Sequence, residues 1–379
     1  MSVEALLPRS GRSVLETMNG FLAALMENGV VDALLVPTEV PSGKNVTQAL
    51  VRDKAKLAAA VPVSPVMPVN SATLVSNLTV DQGTGKLGVV LRSCEIRALV
   101  ELTKLKQANL ENVVIIGVDC PGSYTVADYA SVVDGIEGDA PKAHRFVEKA
   151  LKGETFQWEG CGQRTACRIC ERPAPEFGDI RIGFFGATSG DALAVELSET
   201  VAEVGLDRLG LVEGKAEGRP AALDRLIRER EYARDRAFAE VRETTHSPSG
   251  LLGYFAACLT CHNCSVTCPI CYCKQCVFTT STFEHSSSQY MRRAARKGAL
   301  RMPGDTVLYQ LTRMNHMVTS CVGCGQCESG CPSRIPLAAI FRSIGQKVQA
   351  LYDYVPGRSL EEPPPVTTFR ENELKFVSR

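Results

Sequence analysis

The strongest constraint on this chain is a cysteine spacing that occurs twice. Cys258, Cys261, Cys264 and Cys268 are separated by two, two and three residues, with Pro269 next. Cys321, Cys324, Cys327 and Cys331 repeat the pattern, with Pro332 next. Three thiolates two residues apart on a tight loop can wrap three irons of one cubane. The fourth, followed by a helix-incompatible proline, points away, and in two-cluster proteins with this C-x2-C-x2-C-x3-C-P run it ligates the other cluster. The spacing therefore assigns Cys258, Cys261, Cys264 and Cys331 to one 4Fe-4S cluster, and Cys321, Cys324, Cys327 and Cys268 to a second. The rival is zinc, because C-x2-C pairs also suit a tetrahedral ion, and that rival makes the chain an interaction scaffold. Two full repeats, each ending in Cys-Pro, favour the cubanes.

Eight of the 16 cysteines in the 379 residues remain. The first twenty residues lack the basic and apolar regions of a secretory leader, and no apolar run is long enough to span a bilayer. The expectation is a cytoplasmic chain without a transmembrane segment, where thiols stay reduced and metal explains cysteine excess better than disulfides. With 42 basic and 42 acidic side chains, nothing draws the whole chain to nucleic acid or to an acidic membrane. Cys94 and Cys120 each follow a strand-like run, and Cys167 and Cys170 form a C-x2-C pair. Together these four can supply a third four-thiolate site. Cys161, Cys271, Cys273 and Cys276 are left, again four. They suffice for a fourth cubane, or are buried structural thiols.

Periodicity divides the chain in two. Apolar spacing predicts helices over 14–26, 95–106 and 191–204 and strands over 31–36, 86–91, 112–118 and 179–185. This alternation argues an α/β sheet, whose strand ends are the usual ligand sites. Residues 221–242 are charged at almost every turn and read as a long, mostly solvated helix, a spacer or a partner-facing surface. From about His246 strands disappear, and apolar stripes predict helices over 307–317 and 337–351, on either side of the second cysteine repeat. The expected organisation is an N-terminal helical and α/β segment (1–60), an α/β domain (61–245), a mainly α-helical dicluster ferredoxin-like domain (246–355) and an extended tail (356–379). Gly83, Gly85 and Gly88 match G-x-G-x-x-G, but they precede a strand instead of following one, and so read as a turn. The five histidines are scattered, and only His262 lies inside a cluster loop.

LRSCEIRAL (91–99), VIIGVDCPGSY (114–124) and ACRICERPAPEFGDIRIGFFG (166–186) resemble the coenzyme F-420 hydrogenase/dehydrogenase beta-subunit family. The likeness covers roughly residues 60 to 190, and the dicluster region resembles that of longer members. Ser93 stands where the family has proline, and Glu171-Arg172-Pro173 where it has Asp-Phe. The resemblance implies FAD and a 4Fe-4S cluster in the α/β domain, with Cys94, Cys120, Cys167 and Cys170 as cluster ligands. For FAD it suggests Asn70, Ser71, Arg92, Ser93, Gly183, Gly186, Ser189 and Gly190, where glycine permits close backbone approach and Arg92 offsets pyrophosphate charge. The implied function is an oxidoreductase subunit. It exchanges hydride equivalents from deazaflavin or NAD(P)H at FAD for single electrons, carried to a formate dehydrogenase, hydrogenase or heterodisulfide-reductase-like partner. The alternative is a flavin-free electron wire.

Overall fold

The structure, a computed structural model, describes residues 2–368 except 82, 84, 134–141, 152–160, 188–191, 274, 281, 284 and 301–304. Eight strands among the described residues form one mixed sheet: β1 (Ser2–Leu7), β2 (Ala33–Glu39), β3 (Val46–Val51), β4 (Leu87–Arg92), β5 (Val113–Val118), β6 (Ile180–Gly183), β7 (Leu193–Ser198) and β8 (Val212–Glu213). Their order is β3-β2-β4-β5-β6-β7-β1-β8. β2, β4, β5 and β6 run parallel. The remaining pairings are antiparallel.

Alternation along the central strands feeds two cores. Val90, Ile116 and Val118 join one core with Val14, Met18 and Phe21 of the helix Val14–Glu27. That helix opens on a capping box in which Ser13 and Glu16 each satisfy the other's backbone N–H. Val89, Leu91 and Ile115 point the opposite way, as period-two geometry requires. Their core passes through Ile96, Leu99 and Val100 of the helix Ser93–Lys104 into Phe255, Tyr309, Met314 and Phe341. One apolar core therefore serves both the sheet and the cysteine-rich region. Beyond residue 213 the described residues hold helices and no strands, the longest being Arg219–Thr244, Leu337–Leu351 and Thr306–Met317. The chain is thus mixed α/β with a helical C-terminal region, and no helix among the described residues is long and apolar enough to cross a membrane.

One sequence expectation changes. The helix expected over 191–204 is instead β7, followed by the short helix Glu199–Ala202. Leu193, Val195 and Leu197 are buried while their neighbours are half-exposed, so a period of two outweighed the apparent helical spacing. The charged helix Arg219–Thr244 is mostly solvated, with Arg230, Phe238 and Val241 buried. The segment after Leu351 is fastened at its start: Arg97 donates to the Pro356 carbonyl at 2.8 Å, and Gly357 N–H donates to Glu101 at 2.8 Å.

Glu101 is fully buried. It also accepts from Tyr354 Oη at 2.5 Å and pairs with Lys104 at 3.1 Å, a lysine whose side chain is only 3% exposed. Glu101→Ala strands that buried ammonium and frees three donors, so it is expected to destabilise the chain by about 3–5 kcal/mol. Denaturant unfolding checks this, and an unchanged midpoint contradicts it.

Candidate functional site

The third cysteine of each repeat lies in the first turn of a short helix, Asn263–Val266 and Gln326–Ser329, and the loops before it share a backbone shape. Thr260 and His262 in the first repeat have φ of 51° and 61°. Gly323 and Gly325, at the equivalent positions of the second, have φ of 73° and 70°. Left-handed backbone at both positions turns three cysteines toward one space. Glycine adopts it without strain, whereas a β-branched threonine does not. Cys258, Cys261 and Cys264 line one cavity together with Cys331. Cys321, Cys324 and Cys327 line another together with Cys268. The structure thus gathers the same two groups that the spacing predicts, each taking its fourth member from the other repeat.

Cys94 lies in the first turn of Ser93–Lys104, just past β4, and Cys120 lies two residues past β5. Cys167 and Cys170 flank the end of the short helix Thr165–Arg168. Gly117 makes this possible: a Cβ there would fall 2.6 Å from Pro175, so only glycine lets the segment after Cys170 cross β5 so closely. Cys120 N–H donates to the Pro173 carbonyl at 2.8 Å, and Ser123 Oγ stands 3.3 Å from Cys167 Sγ. Cys94 lies within electrostatic reach of Cys120, Cys170 and Cys324, and Cys120 within reach of Cys167. The third group therefore assembles at the carboxyl ends of β4 and β5, beside the Cys324 cavity.

Burial makes these thiols hard to ionise on their own. It pushes Cys94 and Cys327 well up, Cys120 to about 11 and Cys324 to about 12. Cys167 is the exception: burial raises it, but the Arg164 guanidinium and Ser123 outweigh that and hold it below the usual thiol range. Bound metal deprotonates a coordinating thiol outright, so a metal core fits what the protein leaves unfinished. Each cavity is lined by four cysteine sulfurs, a donor set of the kind that holds a cubane.

Buried arginines that the sequence reading passed over surround these groups. Arg164 donates to the Cys324 carbonyl at 2.9 Å and Ser329 Oγ at 2.9 Å. Arg230 donates to the Pro121 carbonyl at 2.8 Å. Arg313 lines the Cys268 cavity and donates to the Cys264 carbonyl at 3.1 Å, while its Nε and Nη1 have no partner. Burial opposes its charge, but Cys264, Cys327 and Cys268 outweigh that and hold it protonated. No motif marks an arginine of this kind. The one local hint was Arg164, three residues before Cys167.

The remaining candidates are arranged differently. Asn70, Ser71, Arg92 and Ser93 come together and are all buried, around Glu95, which the sequence reading missed. Glu95 accepts from Ser71 Oγ at 2.5 Å, Ser71 N–H at 3.0 Å and Arg92 N–H at 3.0 Å. Arg92 spends its guanidinium on the carbonyls of Ser64 and Val66, at 3.1 and 2.6 Å. A Cβ at Gly183 would fall 2.1 Å from Arg219, and one at Gly186 would fall 2.6 Å from the Gly218 carbonyl. The start of the helix Arg219–Thr244 thus lies directly against these glycines. Ser189 and Gly190 lie outside the described residues. Among the described candidates Ser71 and Arg92 spend their polar groups within the chain, whereas the buried Asn70 Nδ2 has no partner. Cys271 is raised to about 11 by burial and by Cys268, within reach of Cys273 and Cys276. Cys161 stands instead 3.6 Å from Ser131, on a helix whose Tyr129 and Val133 belong to the other core.

The loop of the second repeat sits directly on the third group. A Cβ at Gly325 would fall 2.3 Å from Ala166 Cβ, between Thr165 and Cys167. Gly298 has a similar φ of 74° with nothing within 4 Å. Gly298→Ala is expected to cost about 1–2 kcal/mol of left-handed strain alone. Gly325→Ala should cost distinctly more, because backbone must also move. Equal losses in parallel thermal melts contradict the close approach.

Residues 270–336 match the family model described as a 4Fe-4S dicluster domain. That span holds the whole second repeat and begins just after the first. The F420-dependent formate dehydrogenase subunit beta of Methanocaldococcus jannaschii is 28% identical over 320 residues, 78% of this chain and 79% of that protein. The F420-dependent formate dehydrogenase 1 subunit beta of Methanococcus maripaludis is 26% identical over 306 residues, 74% of this chain and 75% of that protein. Among solved structures, a chain of the F420-reducing NiFe hydrogenase complex from Methanosarcina barkeri aligns with a TM-score of 0.46 and 15% identity, covering 66% of this chain and 94% of that one. Over about three quarters of its length the chain is thus similar to F420-dependent formate dehydrogenase beta subunits, in keeping with its resemblance to the coenzyme F-420 hydrogenase/dehydrogenase beta-subunit family, and residues 270–336 match a 4Fe-4S dicluster domain.

Proposed function

We propose that this chain is an iron–sulfur electron-transfer subunit of an F420-dependent oxidoreductase complex in the cytoplasm. Its partner would be a catalytic subunit of the formate dehydrogenase, hydrogenase or heterodisulfide-reductase-like kind. The observation that carries the reading is the gathering of the eight repeat cysteines into two cavities, with the group of Cys94, Cys120, Cys167 and Cys170 adjoining through Cys94 and Cys324. Clusters held by these three groups would supply one-electron chemistry. The protein's own part is to hold the thiols in place, to exclude water and to set buried guanidinium charge beside each group.

Two readings remain for how electrons come in. The family resemblance supports a flavin in the α/β half, exchanging with deazaflavin or NAD(P)H. The filled space at Gly183 and Gly186 and the committed donors of Arg92 support a flavin-free wire. Oxygen-free protein is expected to hold about twelve iron and twelve sulfide per chain. Flavin released by acid separates the two readings, one equivalent supporting the first and none the second. Stoichiometric zinc with no sulfide contradicts both.

Cys268 belongs to the first repeat but lines the cavity of the second. Cys268→Ala and Cys321→Ala should therefore each remove about four irons, and the double variant no more than either alone, whereas Cys268→Ala with Cys258→Ala should remove about eight. The opposite pattern of additivity contradicts the assignment.

Arg313→Gln withdraws a positive charge from beside the Cys268 group. Adding an electron there becomes harder, and the midpoint potential is expected to fall on the order of 60 mV, a tenfold change in the reduced-to-oxidised ratio of a one-electron centre. Arg313→Lys should recover part of the fall. A potentiometric titration followed by electron paramagnetic resonance reads it, and identical potentials contradict the role.

A further inference from the structure

Of the eight repeat cysteines, only Cys261 is exposed. The Cys268 group is walled by the third group, through Cys324, and by Phe341 and Met317. The Cys258 group therefore ends the row nearest solvent. Its surroundings are unusually apolar for a surface. Leu259, beside Cys258, is 67% exposed, and Val266, two residues after Cys264, is 81% exposed. On the helix Thr306–Met317 the inner side sets Tyr309 Oη 3.5 Å from Cys264 Sγ and Gln310 3.7 Å from Cys258 Sγ. Leu308 and Leu311 on the same helix are about half exposed. Solvated apolar side chains gathered round one site mark an interaction surface more often than chance scatter does.

A second feature gives that surface its sign. Between the repeats lies the helix Ser287–Lys297, capped by Ser286 and Gln289 and closed by Gly298 in the left-handed conformation. It buries none of its residues and carries Arg292, Arg293, Arg296 and Lys297 with no acidic side chain. None of the four makes an ion pair among the described residues. Aromatic contacts tie the segment before it to the same group, from Phe283 through Phe278 to His262 and Tyr309. A packing role would have buried one face of this helix. An anchoring role would have paired its charges.

Resting on the electron-transfer reading above, we propose that the apolar rim of the Cys258 group and the basic helix Ser287–Lys297 form the docking surface for an acidic redox protein. That occupant carries its own one-electron centre. The exchange moves a single electron, one centre being oxidised as the other is reduced, with no bond made or broken. Charge complementarity steers such a partner, and a small apolar centre seats it.

The test uses the full chain with its clusters and an acidic bacterial two-cluster ferredoxin as the probe. One variant carries Arg292→Gln, Arg293→Gln, Arg296→Gln and Lys297→Gln together. The other is Leu308→Glu. Both alter exposed side chains outside the cysteine groups. Association is followed by biolayer interferometry at about 20 mM and about 500 mM salt, where screening lengths differ severalfold. The expected result at low salt is about a tenfold or greater loss of association rate in the quadruple variant, weaker binding in Leu308→Glu, and convergence of the quadruple variant with the parent at high salt. Iron content and midpoint potentials should match the parent. No binding by the parent at low salt, or parent-like binding by either variant, overturns the proposal. Absence of cluster iron in the parent would instead count against the electron-transfer reading itself.

Discussion

Guanidinium and amide donors that cross from one half of the molecule to carbonyls of the other hold the candidate site together. Arg164 reaches the Cys324 carbonyl at 2.9 Å, Arg97 reaches the Val322 carbonyl at 3.1 Å, and Gln326 reaches back to the Met67 carbonyl at 2.9 Å. Arg342 bonds to the Ile169 carbonyl and to Glu171. Carbonyls on cluster loops are poorly placed for sheet or helix pairing, and buried ones need partners. Arginine satisfies them and adds positive charge where thiolate sulfur gathers. The same contacts fix the second repeat against the strand ends, so Cys94 and Cys324 become neighbours. They add to the apolar core that the sheet and the cysteine-rich helices share.

That junction accounts for the glycine pattern as well. Gly325 and Gly117 stand where one backbone passes very close to another. Thr260 and His262, at the outer repeat, take the same left-handed shape without glycine. The inner repeat is built for packing and the outer one faces solvent. This asymmetry gives the row of sites a buried end and an open end.

What could be read from sequence follows from how local each signal is. The cysteine groups were legible because their spacing is fixed within eleven residues and repeats. The strands β4 and β5 were legible from their apolar runs. β7 was misread because Leu193, Val195 and Leu197 fit a helical stripe as well as an alternating one. β1 was missed because Ser2–Leu7 has meaning only beside β7 and β8, its partners from far along the chain. Glu95 and Arg313 were invisible, and Arg164 only hinted at, for a related reason: a buried charge is defined by what surrounds it, and those neighbours lie up to 165 residues away. The glycines at 183 and 186 were recognised as sites of close approach, but the approaching group is the start of Arg219–Thr244.

The central claim is that three sets of four cysteines hold cubanes in adjacent positions. Low-temperature electron paramagnetic resonance of the fully reduced protein tests it most directly, because neighbouring paramagnets couple. The account predicts a broadened, spin-coupled spectrum that simplifies when the middle group, built on Cys321, Cys324, Cys327 and Cys268, is removed. Sharp, independent signals unaffected by that removal, or no signal at all, would contradict it.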